Sequence, residues 1–215
     1  MIQYGRDKKL LIYIFICVVA LSACSKKDEG IVHSNLVEKS NLNSFFIENR
    51  FKLSKFKGRF SSEDEGVIKK DVYIEVEKIA ELKLGVIYKL KIQPIKDVPE
   101  ERLLLGTFYV QKDKIYKIEY TKENIDIMRK QEKIPTGSNI VCQEEEIKDD
   151  MKQKPKGVHQ YLLVQGDLRE YHSYNDKVES GYFETYIWER DIGLKYYKSG
   201  YGAEKNLVEL ELSNK

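Results

Sequence analysis

A period-two alternation running from Asp71 to Ile92 constrains the fold of this chain more than any other feature. In DVYIEVEKI, Val72, Ile74 and Val76 share one face, and Tyr73, Glu75 and Glu77 share the other. In ELKLGVIYKLKI, Leu82, Leu84, Val86, Tyr88, Leu90 and Ile92 form a continuous apolar set, with Lys83, Lys89 and Lys91 facing away. Successive side chains of a strand point to opposite sides, so the pattern predicts half-buried strand. An amphipathic helix would instead repeat about every 3.6 residues.

The same reading extends along the chain. FFIENRFKLSKFKGRF, from Phe45 to Phe60, suggests a short helix followed by a first strand. RLLLGTFYV and KIYKIEY flank QKDK, a hairpin with a polar turn. TKENIDIMRKQEK breaks the alternation: Ile125 and Met128 recur at helical spacing, Thr121 is placed to cap, and Pro135 to end the helix. GSNIVCQEEE reads as a further strand, and the residues from Glu144 to Pro155 as a charged loop. VHQYLLVQGDLREYHSYND is a hairpin around Gly166-Asp167, and SGYFETYIWERDIGLKYYKSGYGAEKNLVELEL supplies three more strands. Strands adjacent in sequence pair antiparallel. The expectation is therefore a mainly β, single domain of about nine or ten mostly antiparallel strands, with one or two short helices. A large twisted sheet, a sandwich and an open barrel all satisfy it.

The candidate binding residues lie in the C-terminal third, where residues 158–201 carry ten of the 24 aromatics. Tyr182, Tyr186 and Trp188 fall on one face of a strand, and Phe183, Thr185 and Ile187 on the other. Two apolar faces cannot both be solvated cheaply. One meets a core, and the other meets either a covering segment of the same domain or a ligand. Rings with polar tips suit glycan or peptide surfaces, so Tyr182, Tyr186 and Trp188 form the candidate binding face.

Trp188, Gly193-Leu194, Tyr197 and Ser199-Gly200-Tyr201-Gly202 stand in a block that resembles uncharacterised β-rich lipoproteins of Gram-positive bacteria. The resemblance implies a fold more than a function. Gly193, Gly200 and Gly202 are placed as bulge or turn residues needing positive φ. SGYGAE lacks the spacing of a phosphate loop.

At the N-terminus, Arg6, Lys8 and Lys9 precede a fourteen-residue apolar run, Leu10 to Ala23. As a helix it would span roughly 21 Å, short of a bilayer core of about 30 Å, which predicts a secretory signal rather than a membrane span. Leu21-Ser22-Ala23-Cys24 resembles the lipobox of bacterial lipoproteins. That resemblance implies a diacylglyceryl group on the Cys24 sulfur and cleavage between Ala23 and Cys24. Two acyl chains anchor durably where one does not. The expected organisation is a signal peptide over residues 1–23, a polar tether over 24–44 beginning at the lipidated Cys24, and a β-rich domain over 45–215. The expected location is the extracytoplasmic face of the cell membrane.

Charge narrows the function classes. Residues 1–23 hold three cations and one anion, so the chain from Cys24 onward carries 34 of each sign and nets zero. A nucleic-acid partner would call for a basic excess. Beyond Cys17 in the signal and the lipidated Cys24, Cys142 is the one remaining thiol, so no internal disulfide is expected. Its acidic neighbourhood, IVCQEEEIKDD, disfavours a reactive thiolate, and a buried strand position is expected. Taking Gly166-Asp167 as the turn gives a pairing sum of 333. His159 is then opposite Tyr174 and His172 opposite Tyr161, with Glu170 near enough to suggest zinc. No HxxxH or CxxC spacing supports it, so no metal or cofactor is expected. GxSxG, HExxH, SxxK and Walker patterns are absent from the sequence. The reading is a non-catalytic envelope lipoprotein that binds or organises an envelope protein or glycan. The alternatives are an unrecognised envelope hydrolase and a protective or inhibitory lipoprotein acting on an exported enzyme.

Overall fold

The computed structural model describes residues 43–62, 66–145, 157–175, 181–202 and 206–213. The signal peptide, Cys24 and the tether up to residue 42 lie outside the described residues, as does most of the charged loop after Glu145. Among the described residues no helix is long and apolar enough to cross a membrane.

Alternation does produce a β protein. Eleven strands form one antiparallel sheet: β1 (Lys55–Ser62), β2 (Gly66–Leu82), β3 (Gly85–Ile92), β4 (Leu104–Gln111), β5 (Lys114–Ile118), β6 (Asn139–Gln143), β7 (Val158–Gln165), β8 (Leu168–Asn175), β9 (Tyr182–Glu189), β10 (Gly193–Tyr201) and β11 (Asn206–Leu212). Among the described residues two helices, α1 (Glu48–Leu53) and α2 (Lys122–Gln131), and a 3₁₀ turn at Glu100–Leu103 complete it. The count is one or two above the expectation.

The strand order is β6-β5-β4-β3-β2-β1-β11-β10-β9-β8-β7. Each half is a meander of sequence neighbours, and only the β1–β11 pairing joins remote segments. Register shifts in the β2–β3, β3–β4, β5–β6 and β9–β10 ladders mark bulges, which bend and coil a sheet. The sheet nearly closes into a barrel, with its β6 edge brought up to β8. Arg169 of β8 bridges that seam, donating through Nε to the Gln143 carbonyl (2.6 Å) and through Nη2 to the Glu144 carbonyl (2.9 Å).

The long alternating set does not form one strand. The chain turns at Lys83-Leu84, so Leu82 ends β2, Leu84 is exposed, and β3 starts at Gly85. From Val86 on, the predicted face is correct: Val86, Tyr88, Leu90 and Ile92 are buried in the barrel interior. The opposite face of β3–β5 is buried as well. Ile125 and Met128 of α2 pack there on Ala80, Ile87, Tyr109 and Ile118. Thr121 caps α2, its hydroxyl accepting from Asn124 N at 3.1 Å. The helix stops at Glu132 in the left-handed region, before Pro135 is reached.

The segment before β1 stops one end of the barrel. Phe45, Phe46 and Phe51 belong to the main core with Trp188 and Tyr88. Asn43 and Ser44, assigned by composition to the tether, are held by the barrel. Asn43 Nδ2 donates to the Gln111 carbonyl (2.8 Å), and the Ser44 carbonyl accepts from Asp191 N (2.7 Å). The Phe45 ring carries the guanidinium carbons of Arg169 and Arg190, each 4.8 Å from its centroid.

Candidate functional site

Alternation along β9 sends Tyr182, Glu184, Tyr186 and Trp188 to one side, and that side is the barrel interior. Trp188 lies next to the Phe45–Phe51 segment, its ring 6.4 Å from Phe46 and 6.3 Å from Phe51. Tyr182 is therefore at the opposite end of the barrel. Tyr186 and Trp188 are fully buried, and Tyr182 is 40% exposed. The three share a face as expected, but they do not make a surface platform. The sheet curls so that the inner face of β9 packs on Phe108 from β4, edge-on to both Tyr186 and Trp188.

Between Tyr182 and Tyr186 this face carries Glu184, a carboxylate only 4% exposed. Burying an isolated charge is costly, so a partner is required. Lys117, on the inner face of β5, supplies it: its Nζ lies 2.6 and 2.5 Å from the two carboxylate oxygens. Gly106 in β4 makes room for this reach, since a Cβ there would stand 3.2 Å from Lys117 Cε. Three hydroxyls join the pair: Tyr182 and Tyr186 each donate to Glu184 Oε1 at 2.9 Å, and Tyr197 lies at 3.5 Å. The Tyr186 hydroxyl is also 2.5 Å from the Leu105 carbonyl, so its single proton has two acceptors. Burial, reinforced by neighbouring tyrosines and Glu184, raises the pKa of Tyr182 and Tyr186 above the ordinary tyrosine value. For Tyr197 burial comes first and Glu184 second.

Above this pair the barrel end presents two rings. Tyr201 of β10 pairs with Tyr182 in the ladder; their centroids are 5.3 Å apart, tilted by 59°. Tyr201 is 46% exposed, and the Lys117 side chain 25%. The site is thus a rim of two solvent-facing phenol rings over an ammonium and a buried carboxylate. The Glu184 oxygens are occupied by protein donors, which leaves the rings and the edge of Lys117 to meet a ligand.

Sequence reasoning missed Glu184, Lys117 and Tyr201. Glu184 carried a readable signal, because an acid flanked by Tyr182 and Tyr186 on an otherwise apolar face must be paired. Lys117 carried none.

The other candidates take ordinary structural places. His159 stacks on Tyr174 and His172 on Tyr161, both with centroids 4.9 Å apart, on the opposite face of the β7–β8 hairpin from Tyr171 and Leu162. His172 Nε2 is 3.5 Å from Glu170, and its Nδ1 is 3.1 Å from Thr185 Oγ1. Among the described residues no group of three or more His, Cys, Asp or Glu could hold a metal ion. Cys142 is fully buried in β6, and burial raises its thiol pKa well above the usual value. Gly193 takes the expected positive φ, at +101°. Gly200 and Gly202 do not; Gly200 is required instead by close approach, because a Cβ there would overlap the Asn206 carbonyl. No protein-family model, no curated protein and no solved structure matches the chain.

Proposed function

We propose that the chain is a cell-envelope lipoprotein, anchored through a diacylglyceryl group on Cys24 after removal of residues 1–23, whose barrel binds an envelope component without catalysing a reaction. The observation that carries the binding reading is the Tyr182–Tyr201 pair, exposed at the rim, with Tyr182 held by its hydroxyl bond to the buried Glu184 of the Glu184–Lys117 pair. A ring held in this way loses little entropy on contact, which favours recognition by stacking. Between the two partners considered, protein and glycan, two phenol rings beside an ammonium suit a hydroxyl-rich glycan. The barrel interior supports the same reading. Trp188, Tyr186, Phe108 and Phe46 fill it with stacked and edge-on rings, so the domain is a rigid scaffold that offers its surface.

Co-sedimentation with insoluble peptidoglycan tests the proposal. The protein is expected to sediment with the wall material, and Tyr182→Ala and Tyr201→Ala are each expected to weaken binding at least tenfold. If the protein stays in the supernatant, or both variants sediment as well as the parent, the glycan reading is wrong.

A further inference from the structure

The end of the barrel opposite the rim has a surface of its own. There α1 crosses the barrel end with Phe51 turned into the core, which leaves Leu53 facing solvent at 76% exposure. Leu53 borders a groove of about 820 Å³ lined also by Arg50, Lys55, Lys57, Tyr73 and Leu212. Tyr73, on the first half of β2, is 40% exposed. An exposed leucine and a tyrosine at one groove are what an interfacial contact uses: an apolar tip and an amphipathic ring.

The charges around this groove are biased. Arg50, Lys52, Lys55 and Lys57 stand against Glu48, Asp71 and Glu211, the last opposite Lys57 in the β1–β11 ladder. Lys52 is paired with Glu48 (2.8 Å) and Lys55 with Asp71 (2.6 Å), while Arg50 and Lys57 have no ion pair among the described residues. The surface thus keeps an excess of one cation beside exposed apolar groups, although the chain from Cys24 onward is neutral.

The chain reaches the barrel at this same end, through Asn43 and Ser44. Eighteen residues separate Asn43 from Cys24. Even fully extended, a segment of this length spans at most about 68 Å. An acyl-anchored Cys24 therefore keeps the point where the chain enters the barrel within that distance of the bilayer. Binding is then intramolecular, so a weak contact is populated by effective concentration.

We infer that the Arg50–Leu53–Lys57–Tyr73 surface docks on the anionic headgroup layer of the membrane that holds the anchor, a proposal resting on the reading of Cys24 as the lipidation site. Leu53 and Tyr73 enter the headgroup region, and Arg50 and Lys57 face lipid phosphates. Docking turns the Tyr182–Tyr201 rim away from the membrane and toward the wall.

The test uses the lipidated full chain carrying Leu53→Trp. Trp188 is fully buried, so it adds a constant background. Vesicles of phosphatidylcholine, with or without phosphatidylglycerol and each doped with headgroup-quencher lipid, are floated with the bound protein. The expected result is at least twofold quenching of the introduced tryptophan in the phosphatidylglycerol vesicles, lost when Arg50→Glu and Lys57→Glu are added. Flotation without quenching would overturn docking and leave the anchor reading intact. Failure to float would overturn the anchor and docking with it. Equal quenching in both vesicle types would refute anionic headgroups as the recognised chemistry.

Discussion

Where the chain enters, the barrel is stopped by rings. Phe45, Phe46 and Phe51 are buried in the main core, Phe46 and Phe51 against Trp188, and two guanidinium groups lie over Phe45. Those cations discharge onto fixed acceptors: Arg169 onto main-chain carbonyls, and Arg190 onto Glu144 (2.7 Å) and Asp167 (3.2 Å). At the far end the interior is closed by charge and hydroxyls: Lys117, Glu184, Tyr182, Tyr186 and Tyr197. One closure is mostly apolar burial, which depends on shape. The other depends on protonation and on the presence of both partners. The two ends should therefore fail under different perturbations.

The largest effect is expected at the ring-stopped end. Phe45→Ala removes a fully buried ring and the surface on which Arg169 and Arg190 rest. Large-to-small replacement of a buried Phe costs about 3–5 kcal/mol. The midpoint of urea unfolding should fall accordingly at neutral pH; an unchanged midpoint would show that residues 43–53 are a lid rather than part of the core.

At the charged end, Lys117→Met strands the Glu184 carboxylate. Breaking a sealed pair costs about 3–5 kcal/mol. With 25% of the Lys117 side chain exposed, solvent moderates the loss, to about 2–3 kcal/mol. The decisive variant is Lys117→Met with Glu184→Gln, which removes both charges while the amide can still accept from the tyrosines. Unfolding midpoints should recover most of the loss in the double variant. No recovery would mean that Lys117 contributes by packing alone.

The two ends also differ in how far the sequence discloses them. Gly166-Asp167 forms a two-residue turn, and that alone sets the β7–β8 register; the predicted His159–Tyr174 and Tyr161–His172 pairs are those observed. The same extrapolation fails for Tyr201. Gly193 pairs with Glu189, but the register shift between Leu194 and Tyr196 moves every later pair by one, and Tyr201 meets Tyr182. Without that shift Tyr201 would meet residue 181, and no rim would be read. Alternation identifies faces but not which face is enclosed. Tyr186 and Trp188 look like a platform until the curl of the sheet puts Phe108 against them. Lys117 and Glu184 lie on strands that are not neighbours in the sheet, so no local pattern couples them. The turn at Lys83-Leu84 carries no Gly, Pro, Asn or Asp, and alternation runs through it unmarked.

Alkaline titration separates the ends with the smallest effect per step. A tyrosine is neutral while protonated. Unfolded, it loses its proton near pH 10; folded and buried, Tyr171 holds its proton to about 12, and Tyr186 and Tyr197 are raised as well. Above pH 10 the unfolded chain therefore binds fewer protons than the folded one, and stability falls as pH rises. The contribution is complete below pH 10 and, for Tyr171, is lost progressively between 10 and about 12. Each such tyrosine costs about 1.4 kcal/mol per pH unit within its window. At the ring-stopped end Tyr88, hydrogen-bonded to Glu48 (3.2 Å), is raised by burial first and Glu48 second, so it adds in the same direction. Urea midpoints followed from pH 9 to 11.5 should decline steadily. Tyr186→Phe with Tyr197→Phe should flatten that decline more than Tyr88→Phe, because two of the titrating groups then leave the charged end and only one leaves the other. Equal flattening would mean that alkaline sensitivity is spread through the core rather than concentrated around Glu184.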